Sequence, residues 1–108
     1  MLNPSIRILL ACAAALTATA AHADREAGRQ KAQLCAACHG PMGMGTIANT
    51  PNLAGQPEVY LSEQLKAYRS GKRVHDIMTL IAKPLSDDDI ANLAAWYAAI
   101  QVELKDKP

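Results

Sequence analysis

The chain has 108 residues, net charge +1 and half hydrophobic composition, with no Phe, one Trp and three Tyr. That length allows one domain at most, and the charge balance excludes the basic stripe that binding to nucleic acid needs. A chain this small buries only ~60–65% of its surface and is marginal without a staple or a cofactor to fill its core.

The first segment reads as a secretory signal, residues 1–23. One basic residue, Arg7, precedes the apolar run Ile8 to Ala20, and Ala21-His22-Ala23 has the small-x-small form of a cleavage site. The run is mostly Ala, contains Thr17 and Thr19, and is shorter than the ~20 residues of a membrane span. Lipidation at Cys12 fits poorly, since the apolar core before it would be about four residues where 7–15 are usual. Loss of Arg7 with the signal leaves residues 24–108 as a formally neutral mature domain with two cysteines, Cys35 and Cys38. The expected compartment is the bacterial periplasm.

The mature chain reads as all-α, with no alternation long enough for a strand. Asp24 to Leu34 is a polar helix that runs directly into CAACHG, Cys35 to Gly40. Gly28 inside it costs ~1 kcal/mol relative to Ala, which suggests a close helix crossing, expected near Leu93 or Tyr97. Four chemistries compete for the cysteine motif. Cys-x-x-Cys-His is the attachment signature of c-type haem, with both thiols and the imidazole on one helical face. A zinc site needs three or four protein ligands, and adjacent Cys38 and His39 suit one tetrahedron poorly. A thioredoxin-like pair expects a βαβ pattern, and none is visible. A plain disulfide closes too small a loop to stabilise much and leaves His39 unexplained. Haem uses all three residues.

Pro41 to Gly55 reads as an irregular loop. A helix follows from Pro57 to Gly71, with Leu61, Leu65 and Tyr68 on one face and Lys66, Arg69 and Arg73 on another. The last helix starts at Ser86, with Asp89 completing a capping box and Leu85 and Ile90 a hydrophobic staple. Its apolar stripe, Ile90, Leu93, Ala94, Tyr97, Ile100 and Leu104, carries the expected helix to about Leu104.

A six-coordinate haem iron needs a ligand opposite His39. Met42 and Met44 follow too closely for the chain to pass round the ring, and read as loop residues covering the cofactor. Met78 has ample chain before it and is the expected axial ligand. His75 is the alternative, giving bis-histidine ligation and a lower potential.

From Gly28 to Ala98 the chain resembles the class I c-type cytochromes, both small soluble monohaem proteins and single domains of dihaem ones. The similar pieces are Ala27-Gly28, CAACHG, PNLAGQ at Pro51 to Gln56, YLSEQLKAYRSGKR at Tyr60 to Arg73, Met78, and IAKPLSDDDIANLAAWYA at Ile81 to Ala98. The resemblance implies about four helices around one covalently bound haem c, with Cys35 and Cys38 as thioether links and His39 and Met78 as axial ligands. It further implies that the Pro51 carbonyl accepts a hydrogen bond from the axial His, and that Leu53 packs on the ring. PMGMG after His39 replaces a polar stretch usual in the group, and Trp96-Tyr97 replaces two Tyr or Tyr-Phe. The expected function is one-electron transfer between a redox protein donor and acceptor, without enzymatic turnover at the haem. The alternatives are a cytochrome subunit of a periplasmic dehydrogenase or oxidase complex, and a haem gas sensor or peroxidase.

Overall fold

A computed structural model describes residues 22–106, so the expected signal peptide falls almost wholly outside the described residues. Five helices follow one another: α1 (Arg25–Lys31), α2 (Gln33–His39), α3 (Glu58–Ser70), α4 (Met78–Ala82) and α5 (Asp87–Ala99). The expected helix through Leu34 is therefore interrupted. Cys35 N–H donates to Ala32 O at 2.9 Å, a tight i to i−3 bond that separates α1 from α2. No helix of the described residues is long and apolar enough to cross a membrane.

The core sits where α1 and α3 pack on α5. Ile90, Leu93, Ala94 and Tyr97 of α5 are buried against Ala32, Leu61, Ala82 and Leu85. The crossing of α1 on α5 is so close that a Cβ at Gly28 would lie 2.0 Å from Asn92 O and 2.9 Å from Trp96 Cβ. The close crossing is as expected, but the residues opposite are Asn92 and Trp96 in place of Leu93 or Tyr97. Asn92 also accepts from Asp24 N–H at 2.7 Å, while the Asp24 side chain caps α1 through Glu26 and Ala27. One residue of α5 thus fixes both the start of α1 and its approach.

Local signals set the remaining boundaries. Gly71 ends α3 at φ 82°, a left-handed conformation that glycine adopts without penalty. Ser86 and Asp89 form the capping box of α5. Leu85 and Ile90 are both buried beside it. α5 ends at Ala99, short of the expected Leu104, which is 81% exposed. Gly55 explains the early end: its N–H donates to Tyr97 O at 2.9 Å, and Ile100 and Val102 lie against its Cα. Beyond Ala99 the chain leaves the helix to cross this loop.

Candidate functional site

Residues of all five helices and of the 41–55 loop enclose a mainly apolar cavity of about 490 Å³, within the range usual for a cofactor pocket. Cys35, Cys38, His39, Pro51, Leu53 and Met78, the six site residues expected from the sequence, all line it. α2 supplies the first three. Positions 35, 38 and 39 are i, i+3 and i+4, so they share one helical face. Both cysteines are free thiols and partly buried.

His39 is buried, and its Nδ1 lies 2.8 Å from Pro51 O. A carbonyl only accepts, so the neutral ring carries its proton on Nδ1 and its lone pair on Nε2. The bond also fixes the plane of the ring. Pro51 is held by the loop around it. Leu53 and Ala54 N–H both donate to Gly43 O, at 2.7 and 3.1 Å, and Gly45 N–H donates to Asn52 Oδ1 at 2.7 Å. Thr46 N–H donates to Cys38 O at 3.1 Å, tying the loop back to α2. Gly43 is indispensable there: at φ +74 any Cβ would lie 2.8 Å from Ala54 N and from the Tyr97 ring. The unusual PMGMG stretch therefore builds an ordered loop, and Met42 and Met44 face solvent at its surface.

Met78 opens α4 and is half buried. His75, the rival ligand, also reaches the cavity wall, but its Nδ1 accepts from the N–H groups of Ile77 and Met78, both at 3.3 Å. Thr79 Oγ1 accepts from His75 N–H at 2.9 Å. His75 thus caps the short helix that carries Met78. Tyr97 closes the inner wall: its hydroxyl faces the Cys35 sulfur as a hydrogen-bond donor, and burial, then Cys35, push its ionisation upward. Burial likewise pushes the Cys35 thiol up, with the Tyr97 hydrogen bond opposing.

The donor set fits a haem of the c type. Two thiols stand on one helical face to meet an edge of the ring, an imidazole presents a lone pair, a thioether stands on α4, and the walls are apolar. Sequence reasoning missed Gln64, which interrupts the apolar stripe of α3 between Leu61 and Leu65 and also lines the cavity. It also grouped Lys66, Arg69 and Arg73 on one face that the structure divides. Arg69 spans to Asp87 Oδ1 at 2.6 Å and Leu85 O at 3.0 Å, and Arg73 lies on the cavity wall.

Comparison with known proteins gives one consistent result. The family profile described as Cytochrome c matches residues 25–100. Cytochrome c-554(548) of Halomonas halodenitrificans is 46% identical over 79 residues, covering 70% of this chain and 95% of that protein. A thiosulfate dehydrogenase electron acceptor of Thiomonas intermedia is 38% identical over 106 residues, which is 97% of this chain but only 49% of that relative. Reduced recombinant cytochrome c4 from Pseudomonas stutzeri superposes with a TM-score of 0.68 at 38% identity, over 72% of this chain and 46% of that one.

Proposed function

The chain belongs to the cytochrome c family, and on that basis we propose that it is a periplasmic monohaem electron carrier exported by residues 1–23. Cys35 and Cys38 would hold one haem c through thioether bonds, and His39 and Met78 would ligate its iron. The observation that carries this reading is that these four side chains line one apolar cavity while Pro51 leaves His39 Nε2 available for the iron. When bound, the haem supplies a one-electron iron couple.

The protein's own residues do the rest. Pro51 orients the His39 ring and raises its basicity as a ligand. Leu53, Leu61, Leu65 and Leu93 exclude water from the cavity. A Met ligand and a dry site both favour the ferrous state and raise the potential. Two protein ligands leave no position for a substrate, so the site passes electrons without turning over a reactant.

A second reading concerns the partner. Likeness to a thiosulfate dehydrogenase electron acceptor extends over 97% of the chain, which favours a periplasmic dehydrogenase as the electron donor. This chain spans about half of that relative, so its donor is read from its own surface and rates.

The experiment is a pyridine haemochrome assay with intact mass on the exported protein. One haem added per chain is expected, with Cys35→Ser/Cys38→Ser losing it. Ferrous wild type is expected to reject carbon monoxide at neutral pH. No haem mass, or avid carbon monoxide binding, overturns the reading.

A further inference from the structure

Met78 reaches the cavity from the least supported element of the fold. α4 has five residues, too few to persist as a helix on its own hydrogen bonds. Packing adds little, because Ala82 is its one buried residue, and Leu80 and the preceding Ile77 are 70% and 58% exposed. Ile77, at the cap position, has no polar side chain to offer the amides that follow. The place of Met78 must therefore be fixed by groups outside α4 or at its edge.

His75 and Thr79 close a ring of hydrogen bonds around it. His75 N–H donates to Thr79 Oγ1 at 2.9 Å, and Thr79 N–H donates back to His75 O at 3.0 Å. Between these two bonds, His75 Nδ1 accepts from Ile77 N–H and Met78 N–H, both at 3.3 Å. As the first residue of α4, Met78 has an amide that no helical carbonyl can take, and the imidazole takes it. A ring nitrogen that accepts from two amides carries no proton, so the neutral ring carries its proton on Nε2. With this clasp closed, His75 stands on the cavity wall with neither ring nitrogen free to bind a metal.

We propose that His75 is the positioning residue for the axial thioether, a proposal that rests on the Met78 ligation read above. It acts through the Met78 backbone amide and not on the iron, and Thr79 holds the His75 backbone in place for it. Loss of the clasp frees α4, so Met78 leaves the iron more often, while the core of α1, α3 and α5 is untouched. A small outside ligand binds only the state in which Met78 has left. Its apparent affinity therefore reports how often that happens.

The test titrates purified ferric holoprotein with imidazole and follows the thioether-to-iron charge-transfer band in the red. His75→Ala is expected to lower the apparent Kd for imidazole roughly tenfold, with the thermal melt of the helices near wild type. His75→Asn, whose Oδ1 can accept from the same amides, is expected to recover most of the wild-type Kd. A wild-type Kd in His75→Ala overturns the proposal, as does a His75→Asn that binds imidazole as tightly as His75→Ala. A lower Kd matched by an equal loss of global stability also overturns it, since the effect then belongs to the core. Should His75→Ala not accumulate, Thr79→Val, which removes the acceptor for His75 N–H, is titrated in its place, and a wild-type Kd there overturns the proposal. A wild type without the charge-transfer band overturns the Met78 ligation and this proposal with it, whereas a wild-type band with an unchanged Kd in the variants overturns the clasp alone. The two failures are thus distinguishable.

Discussion

Even a methyl group at position 28 meets the Asn92 carbonyl oxygen at 2.0 Å, and a backbone oxygen inside a helix has nowhere to go. Gly28→Ala is therefore expected to lower stability by ~1–3 kcal/mol through overpacking, despite the better helix propensity of Ala. A melting temperature equal to wild type would show that α1 and α5 slide apart freely. At Met78 the readout is chemical. Met78→Ala opens an axial position, so the ferrous variant is expected to bind carbon monoxide, with a potential below wild type. Unaltered spectra in that variant would hand the sixth position to another residue, with His75 the first to try.

The strongest element-level signal is the start of α5. Ser86→Ala removes the acceptor for Asp89 N–H, at 3.0 Å, and should cost about 1 kcal/mol in a thermal melt. Asp89 gives that cap a pH dependence. Its carboxyl is held below the usual range, first by the Ser86 backbone N–H and then by Lys31. A lowered folded-state pKa means that this stabilisation is complete above the ordinary carboxylate pKa and is lost as pH falls through the lowered value. Asp89→Asn should therefore have a flatter melting profile from neutral to acid pH than wild type; parallel profiles would remove Asp89 from the acid response. The boundaries read correctly from sequence, both ends of α3 and the start of α5, are those with local punctuation: Pro57 and Gly71, Ser86 and Asp89. α4 has five residues, too few to show a helical period. The end of α5 is set by Gly55, over forty positions earlier. Gln64 and Arg73 meet only because the chain turns at Gly71, so their contact is tertiary information. The cysteine motif was readable because one turn of helix brings its three side chains together.

At the scale of the whole molecule, near-neutral charge provides no long-range steering field. Arg69 is tied to Asp87 and Arg73 to Gln64 and Tyr68, while Lys66 and Lys72 are in none of the ion pairs among the described residues. Reversing both to Glu is expected to leave the electron-transfer rate and its salt dependence near wild type. Leu34 lines the cavity and is 67% exposed, so it marks the apolar rim. Leu34→Asn, which removes the apolar contact without adding charge, should slow transfer roughly tenfold, the equivalent of ~1.4 kcal/mol of encounter free energy, with the midpoint near wild type. Stopped-flow rates against ionic strength check both variants.

The Asp24 to Asn92 hydrogen bond joins positions 68 residues apart. Such a contact closes nearly the whole domain as one loop, at an entropic cost that local turns do not bear. α5 follows the other four helices in the chain, and without it the cavity lacks the wall that Leu93, Ala94 and Tyr97 provide. Until α5 docks, the cavity face of CAACHG lacks that shield. The crossing at Gly28 thus acts as a clasp that fastens only once α5 is in place. Pulse-labelled hydrogen exchange should find the amides of α1 and α5 gaining protection together, and early protection of α1 alone would show that the clasp does not govern its folding.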